Sequence, residues 1–251
     1  MPKQTGIIRV EGTMDNVTFY KDKEGVYHVR RKGGVSAERI AKGETFQRTR
    51  ENGAEFGRAG KASKLLREIL KPLGKHVSDG RMFGRLVREM MKVLRADATS
   101  ERGQRNVIDG EVELLNGFDF NSKGPLKTSV SVLFSAAIDR ITGKAQVDFP
   151  AFIPSKMIIA PQASTHYQLN AVAAEIDFEA QSYKIDSKNS GPLQLTEASA
   201  GLQLACQLPA NSTHPLFLVL GIEFFQMSNG RLYPLLDSSG NPAAIVQVSG
   251  L

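Results

Sequence analysis

The sequence predicts an α+β fold: a basic N-terminal hairpin and helical segment, residues 1–106, followed by an antiparallel β-sandwich domain of jelly-roll or immunoglobulin type, residues 107–251. Three observations carry this. Residues 1–110 hold 24 Lys and Arg against 14 Asp and Glu, whereas residues 111–251 hold 8 against 12. From about residue 107 charge thins and short alternating runs of Val, Ile, Leu and Phe take over. Clusters rich in Gly, Pro, Ser and Asn separate those runs at the spacing of a many-stranded sheet protein. With 41% hydrophobic and 23% charged residues in 251, the chain has the composition of a packed globular protein.

The elements follow in order. Val17, Thr18, Phe19 and Tyr20, then Val26, Tyr27 and Val29, are strand formers around the polar turn Lys21–Gly25, which predicts a hairpin. A lone hairpin is marginal in water, so this one has to pack on its own chain or on a neighbour. Past Gly33 and Gly34, Ser36 is placed to cap a short helix, with Glu38 in its first turn and Gly43 at its end. A longer helix near 45–71 is indicated by Phe56, Ala59, Ser63, Leu66 and Leu70, spaced by three and four. Gly53, Gly57 and Gly60 lie inside it, each costing about 1 kcal/mol relative to Ala. Their number implies close approach of another backbone, or a helix that forms on assembly. A third helix, 81–95, carries Phe83, Leu86, Val87, Met90, Val93 and Leu94 on one face. Arg81, Arg85, Arg88, Lys92 and Arg95 lie on the other at steps of 4, 3, 4 and 3. Like charges at that spacing repel unless an anion faces them.

Beyond residue 107 the expected strands lie in 128–138, 145–152, 156–161, 166–180, 192–197, 201–208, 215–227 and 243–250. The segments Asn121–Gly124, Asp186–Gly191, Pro209–Pro215 and Asp237–Pro242 read as turns.

Chemistry-bearing motifs are sparse. His28, His76, His166 and His214 stand apart from one another and from zinc-ligand spacings. The single cysteine, Cys206, sits mid-strand among apolar residues and reads as a buried hydrophobe; no intrachain disulfide can form. Phosphate-binding loops, the dinucleotide fingerprint and the hydrolase nucleophile elbow are absent. No metal and no cofactor are expected, and no enzymatic activity. Glu175, Asp177 and Glu179 alternate with Ile176 and Phe178, which puts three carboxylates on one strand face. That face reads as a solvated outer surface, a calcium or acid–base site, or an acidic docking face for a basic segment of another copy. A sugar-binding sandwich is disfavoured because Trp is absent. The N-terminus lacks the apolar core of a signal peptide, and no run reaches the ~20 apolar residues of a membrane span, so a soluble cytoplasmic protein is expected.

The stretches GTMDNVTFYKDKEGVYHVRRKGG (12–34) and FQRTRENGAEFGRAGKASKLLR (46–67) resemble an uncharacterised family of small bacterial proteins. That family pairs a Gly-x5-Thr-Phe-Tyr-Lys hairpin with a Thr-Arg-Glu-Asn helix start and has a β-rich remainder. The resemblance brings no activity, cofactor or site residues with it.

Two functions fit these features. The first is a structural protein that assembles with copies of itself into a filament, tube or shell, its basic arm docking on an acidic surface of a neighbour. The second is nucleic-acid binding, with Arg30, Arg31, Lys32, Arg48, Arg50, Arg81, Arg85, Arg88, Lys92 and Arg95 contacting phosphates. The interleaved acids and the lack of a base-stacking aromatic pattern count against the second. A small-molecule ligand is not expected.

Overall fold

The computed structural model describes residues 2–74, 77–235 and 240–250. It is a mixed α+β protein with antiparallel sheets, one of them curled into a half-barrel. The chain divides into two compact units, Met1–Arg50 and Glu51–Leu251.

The first unit holds a three-stranded antiparallel sheet in the order β1 (Gly12–Met14), β2 (Val17–Lys21), β3 (Tyr27–Arg31). Asp22 builds the turn between β2 and β3. Its Oδ1 accepts from the backbone N–H groups of Glu24 and Val26, at 2.9 and 2.8 Å, and its Oδ2 meets His28 Nε2 at 2.7 Å. The hydrogen bond with His28 holds this carboxyl below its ordinary range. Gly25 adopts φ +85°, where a side chain would be strained. Residues 2–4 run along the outer edge of β3, with Gln4 N–H donating to Tyr27 O and Val29 N–H to Pro2 O. Ser36 caps α1 (Ala37–Lys42) by accepting from Arg39 N–H, and Gly43 ends it, as the sequence indicates. The strand alternation gathers Val17, Phe19, Tyr27 and Val29 on one face. That face is only half-covered, and no described residue of this unit is buried.

The second unit contains the long helix α2 (Gln47–Glu68) from Glu51 onward, the long helix α3 (Met82–Ala96), and the short helices α4 (Leu126–Ser129) and α5 (Pro154–Met157). Its larger sheet has six strands. The path is β11 (Arg231–Pro234), β10 (Leu216–Ser228), β6 (His166–Asp177), β7 (Ser182–Asn189); β12 (Ala243–Ser249) joins β10 and β8 (Leu193–Gln194) joins β6. A second sheet runs β4 (Ser135–Asp139), β5 (Lys144–Phe149), β9 (Leu202–Gln207).

Strands β6 and β10 pair from Leu216–Glu175 to Phe225–His166 and are buried on both faces. One face, with Val172, Ala174, Ile176, Phe217 and Val219, packs on Leu66, Leu86, Met90 and Leu94 of the helices. The other, with Tyr167, Leu169, Ala171, Leu218, Leu220 and Phe224, packs on Val147, Phe149, Leu204 and Cys206 of the second sheet. Strands covered on both sides lose the polar alternation of half-exposed ones, which is why 216–222 reads as a continuous apolar run.

Several sequence expectations are corrected here. Residues 156–161 are not a strand: Pro154 starts α5, and only Ile158 bridges to Val130. The expected strand 128–138 begins only at Ser135, since α4 takes up its first residues. Of the segment read as a turn at 186–191, residues 186–189 are the end of β7, an edge strand whose exposed polar residues carry turn-like chemistry, and only Ser190 and Gly191 lie beyond it. Of the helical seam, Phe56 is out of place: it is 61% exposed, while Glu55 is buried and accepts from Gly103 N–H at 2.9 Å. The turn expected at 237–242 lies partly outside the described residues.

After α3 the chain is anchored by the buried Asp97. Its Oδ1 accepts from Thr99 N–H, Thr99 Oγ1 and Ser100 N–H, each at 2.9 Å, and its Oδ2 from Asn106 N–H at 3.0 Å. Burial alone would raise this carboxyl, but those donors outweigh it and hold it well below the usual range. Asp97→Ala leaves several donors unsatisfied and is expected to destabilise the protein by about 2–3 kcal/mol. Because the folded-state pKa is depressed, the stabilisation is present above the ordinary value of ~3.9 and is lost as pH falls below it. Urea unfolding at pH 7 and pH 3 should show the gap between wild type and variant narrowing at the lower pH.

Candidate functional site

The ten expected cations differ in their surroundings. In β3, successive side chains point to opposite faces, so Arg30 and Arg31 diverge. Arg30 lies over the Tyr20 ring, 5.3 Å from its centroid, beside the stacked pair Tyr20–His28. Arg31 and Lys32 are exposed, as is Arg48. Arg50 is internally engaged: its guanidinium donates to Ile40 O and Gly43 O at 2.8 and 2.7 Å and so ties down the C-terminal end of α1.

On α3 the five cations keep the expected spacing but have different surroundings. Arg81 is the N-cap residue and is exposed. Arg85 pairs with Asp79 at 2.5 Å, donates to Asp119 O at 2.7 Å and Phe120 O at 3.2 Å, and lies 5.4 Å from the Phe118 ring centroid. Burial would raise the Asp79 carboxyl, but donors from Ser122, Arg81 and Arg85 hold it well below the usual range. Arg85 is therefore a brace between α3 and the segment 118–122. Arg88 and Lys92 share Glu89, at 3.2 and 2.6 Å. Arg95 is exposed and makes no ion pair among the described residues.

The acidic trio is split. β6 ends at Asp177, whose Oδ1 accepts from Glu179 N–H and Ala180 N–H, at 2.9 and 2.8 Å, so Glu179 sits in the following turn. Glu175 is buried rather than outward: it accepts from Ser212 Oγ at 2.6 Å and lies 3.4 Å from Lys184 Nζ, its cross-strand neighbour. Asp177 lies 3.8 Å from His214 Nε2. Both carboxylates thus border a small cleft with Ser182 and Tyr183, and their partners are structural.

The remaining chemistry-bearing groups are dispersed. His166 Nδ1 meets Thr165 Oγ1 at 2.9 Å; His76 lies outside the described residues. Burial pushes the Cys206 thiol up, and its Sγ faces Ala171 O at 3.7 Å. Among the described residues no three His, Cys, Asp or Glu side chains are grouped to hold a metal ion. Among the described residues no helix is long and apolar enough to cross a membrane.

The most distinctive surface feature joins residues that the sequence pattern assigned to the core. Between α2 and α3 lies a groove of about 490 Å3, floored by Phe56, Phe83, Val87 and Met91 and edged by Arg88, Lys92 and Arg95. Phe83 remains 38% exposed, with the Arg67 guanidinium 5.4 Å from its centroid. The helical period marked both aromatics as apolar. It could not show that the α2–α3 packing turns them to the outside.

These roles separate on substitution. Arg85→Ala removes one of the donors to the partly buried Asp79 carboxylate and should cost about 1.5–3 kcal/mol of unfolding free energy. Arg95→Ala should stay within about 0.5 kcal/mol of wild type. Paired urea melts check both. Comparison of the chain with protein-family models, with curated proteins and with solved structures finds no match.

Proposed function

We propose that the protein is a non-enzymatic structural component that assembles with copies of itself, using residues 1–50 as a docking arm. The observation that carries this reading is the absence of any buried residue among those described in the first unit, although it folds into three strands and a capped helix. A sheet with Val17, Phe19, Tyr27 and Val29 on one face gains its stability by burying that face, and burial contributes about 1.5–3 kcal/mol for each large side chain. Ile7, Ile8 and Met14 add further exposed apolar surface in the same unit. The arm also carries 11 Lys and Arg against 6 Asp and Glu, so charge favours an acidic receiving surface.

The body suits this role as a β-sandwich of jelly-roll type with a helical layer added; the apolar core shared by its two sheets supports that reading. A cytoplasmic setting agrees with a sole cysteine held as a buried thiol.

Nucleic-acid binding is the second reading. It is favoured by Arg31, Lys32 and Arg48, which are exposed and make no ion pair among the described residues. The two readings combine if the assembly encloses a polyanion.

Light scattering on a sizing column, at low and high salt, distinguishes them. Self-assembly predicts a large particle with a protein-like ratio of 260 to 280 nm absorbance. Phe19→Asp should reduce it to small species without changing the unfolding midpoint of the second unit. A monomer carrying salt-labile 260 nm material transfers the assignment to nucleic acid.

A further inference from the structure

The groove between α2 and α3 has a counterpart on the same flank of the molecule. The segment after residue 110 forms a short 3-10 turn, Val112–Leu115, from which Leu114 protrudes with 50% of its surface exposed. Glu111 and Glu113 flank it and are exposed. Neither makes an ion pair with a Lys or Arg among the described residues; Glu113 Oε1 accepts from Gly250 N–H at 2.6 Å. The two carboxylates crowd each other, and the Glu113 contact raises the pKa of Glu111. Crowded carboxylates of this kind are relieved by a cation.

Arg88 links the two features. It edges the α2–α3 groove, and it also lines a second cleft of about 350 Å3 that contains Leu114 and Glu89. An apolar hole with a cationic edge and an apolar knob with an acidic edge therefore lie on either side of one side chain. We propose that this face pairs two copies of the chain about a two-fold axis near Arg88, the Leu114 of each entering the Phe56–Phe83 groove of the other, with Glu111 meeting Arg95. An isologous contact requires that each copy present both halves of a complementary pair, and here it does so in chemistry and in charge.

The glycines agree with this arrangement. A Cβ placed on Gly53, Gly57, Gly60 or Gly84 would meet nothing within 4 Å, so the close approach that the sequence implies is not made within the chain. A neighbouring backbone can come near these helices only because those side chains are missing. The inference rests on the self-assembly reading. It adds a second contact, distinct from the arm, and two distinct contacts per subunit are what an extended assembly needs.

The test is a charge exchange in the full-length chain, read by sedimentation velocity over a concentration series. Arg95 and Glu111 are both exposed and lie outside the buried core, so their reversal should leave the fold intact, which circular dichroism verifies. Arg95→Glu alone and Glu111→Arg alone should each weaken pairing at least about tenfold, and the double variant should return to within about threefold of wild type. A second readout uses Phe56→Cys with Leu114→Cys. Cys206 is the sole native cysteine and is buried, so mild oxidation should link two chains only when both new thiols are present. If wild type assembles but neither single reversal weakens it, or the double variant is no better than the singles, this interface is wrong while the arm contact stands. If wild type is monomeric at every concentration, both readings fall. If an oligothymidine probe binds wild type and is lost equally in Arg95→Glu and in the double variant, the groove serves a polyanion and the pairing is overturned.

Discussion

The fold of the second unit depends on one constraint: β6 and β10 form a ten-pair antiparallel ladder with apolar side chains on both faces. A strand pair of that kind cannot leave either face in water, so it requires a layer on each side. The odd positions of β6, Tyr167 to Ala173, call for the second sheet, and the even positions, Val172 to Ile176, call for the helices. The polar exceptions each have a partner: Asn170 accepts from Gln168 Nε2 at 2.7 Å, and Glu175 accepts from Ser212 Oγ at 2.6 Å and lies 3.4 Å from Lys184 Nζ. Gly221 of β10 lies against Leu73, so a side chain there would press the chain leaving α2 outward. The helical layer is thus the cover of a doubly buried sheet.

That cover explains why the cationic stripe of α3 is not uniform. A helix packed by Leu86, Met90 and Leu94 presents its opposite side to solvent only along the centre of that side. Arg85 sits at the margin, where the segment 118–122 meets α3, and its two terminal nitrogens donate to Asp79 and to two backbone carbonyls. Arg88, Lys92 and Arg95 lie further round and hold only Glu89 between them. A stripe that looks continuous at steps of three and four therefore divides into one brace and a cluster with excess positive charge. On this helix electrostatic recognition can use the cluster and the exposed Arg81, but not Arg85.

Much of this was legible from sequence where local rules decide. The hairpin, the Ser36 cap and the long α2 and α3 follow from strand formers, capping chemistry and the 3.6-residue period. What escaped depends on partners distant in the chain. β7 is polar because it is an edge strand, and edge status is a property of the whole sheet. Glu175 was expected outside because alternation with Ile176 and Phe178 looks like a solvated face. It is buried because Ser212 and Lys184 are brought to it from 37 and 9 residues away. Phe56 and Phe83 were expected inside because apolar periodicity marks a helix face but cannot say which residues at its margin a neighbouring helix will cover.

Those last two residues carry the argument from fold to function. Exposing two aromatic rings forgoes burial free energy that a self-contained monomer would gain by covering them. Four glycines along the same helices, none needed to relieve a contact within the chain, weaken the helices further. The first unit repeats the pattern on a larger scale, with a folded sheet and no buried residue. Two places in one chain, the α2–α3 face and the first unit, thus forgo stabilisation that the isolated subunit could have had. Sequences are locally consistent with their fold except where function requires otherwise, and the common feature of these exceptions is surface left open to solvent, as the proposed self-assembly requires.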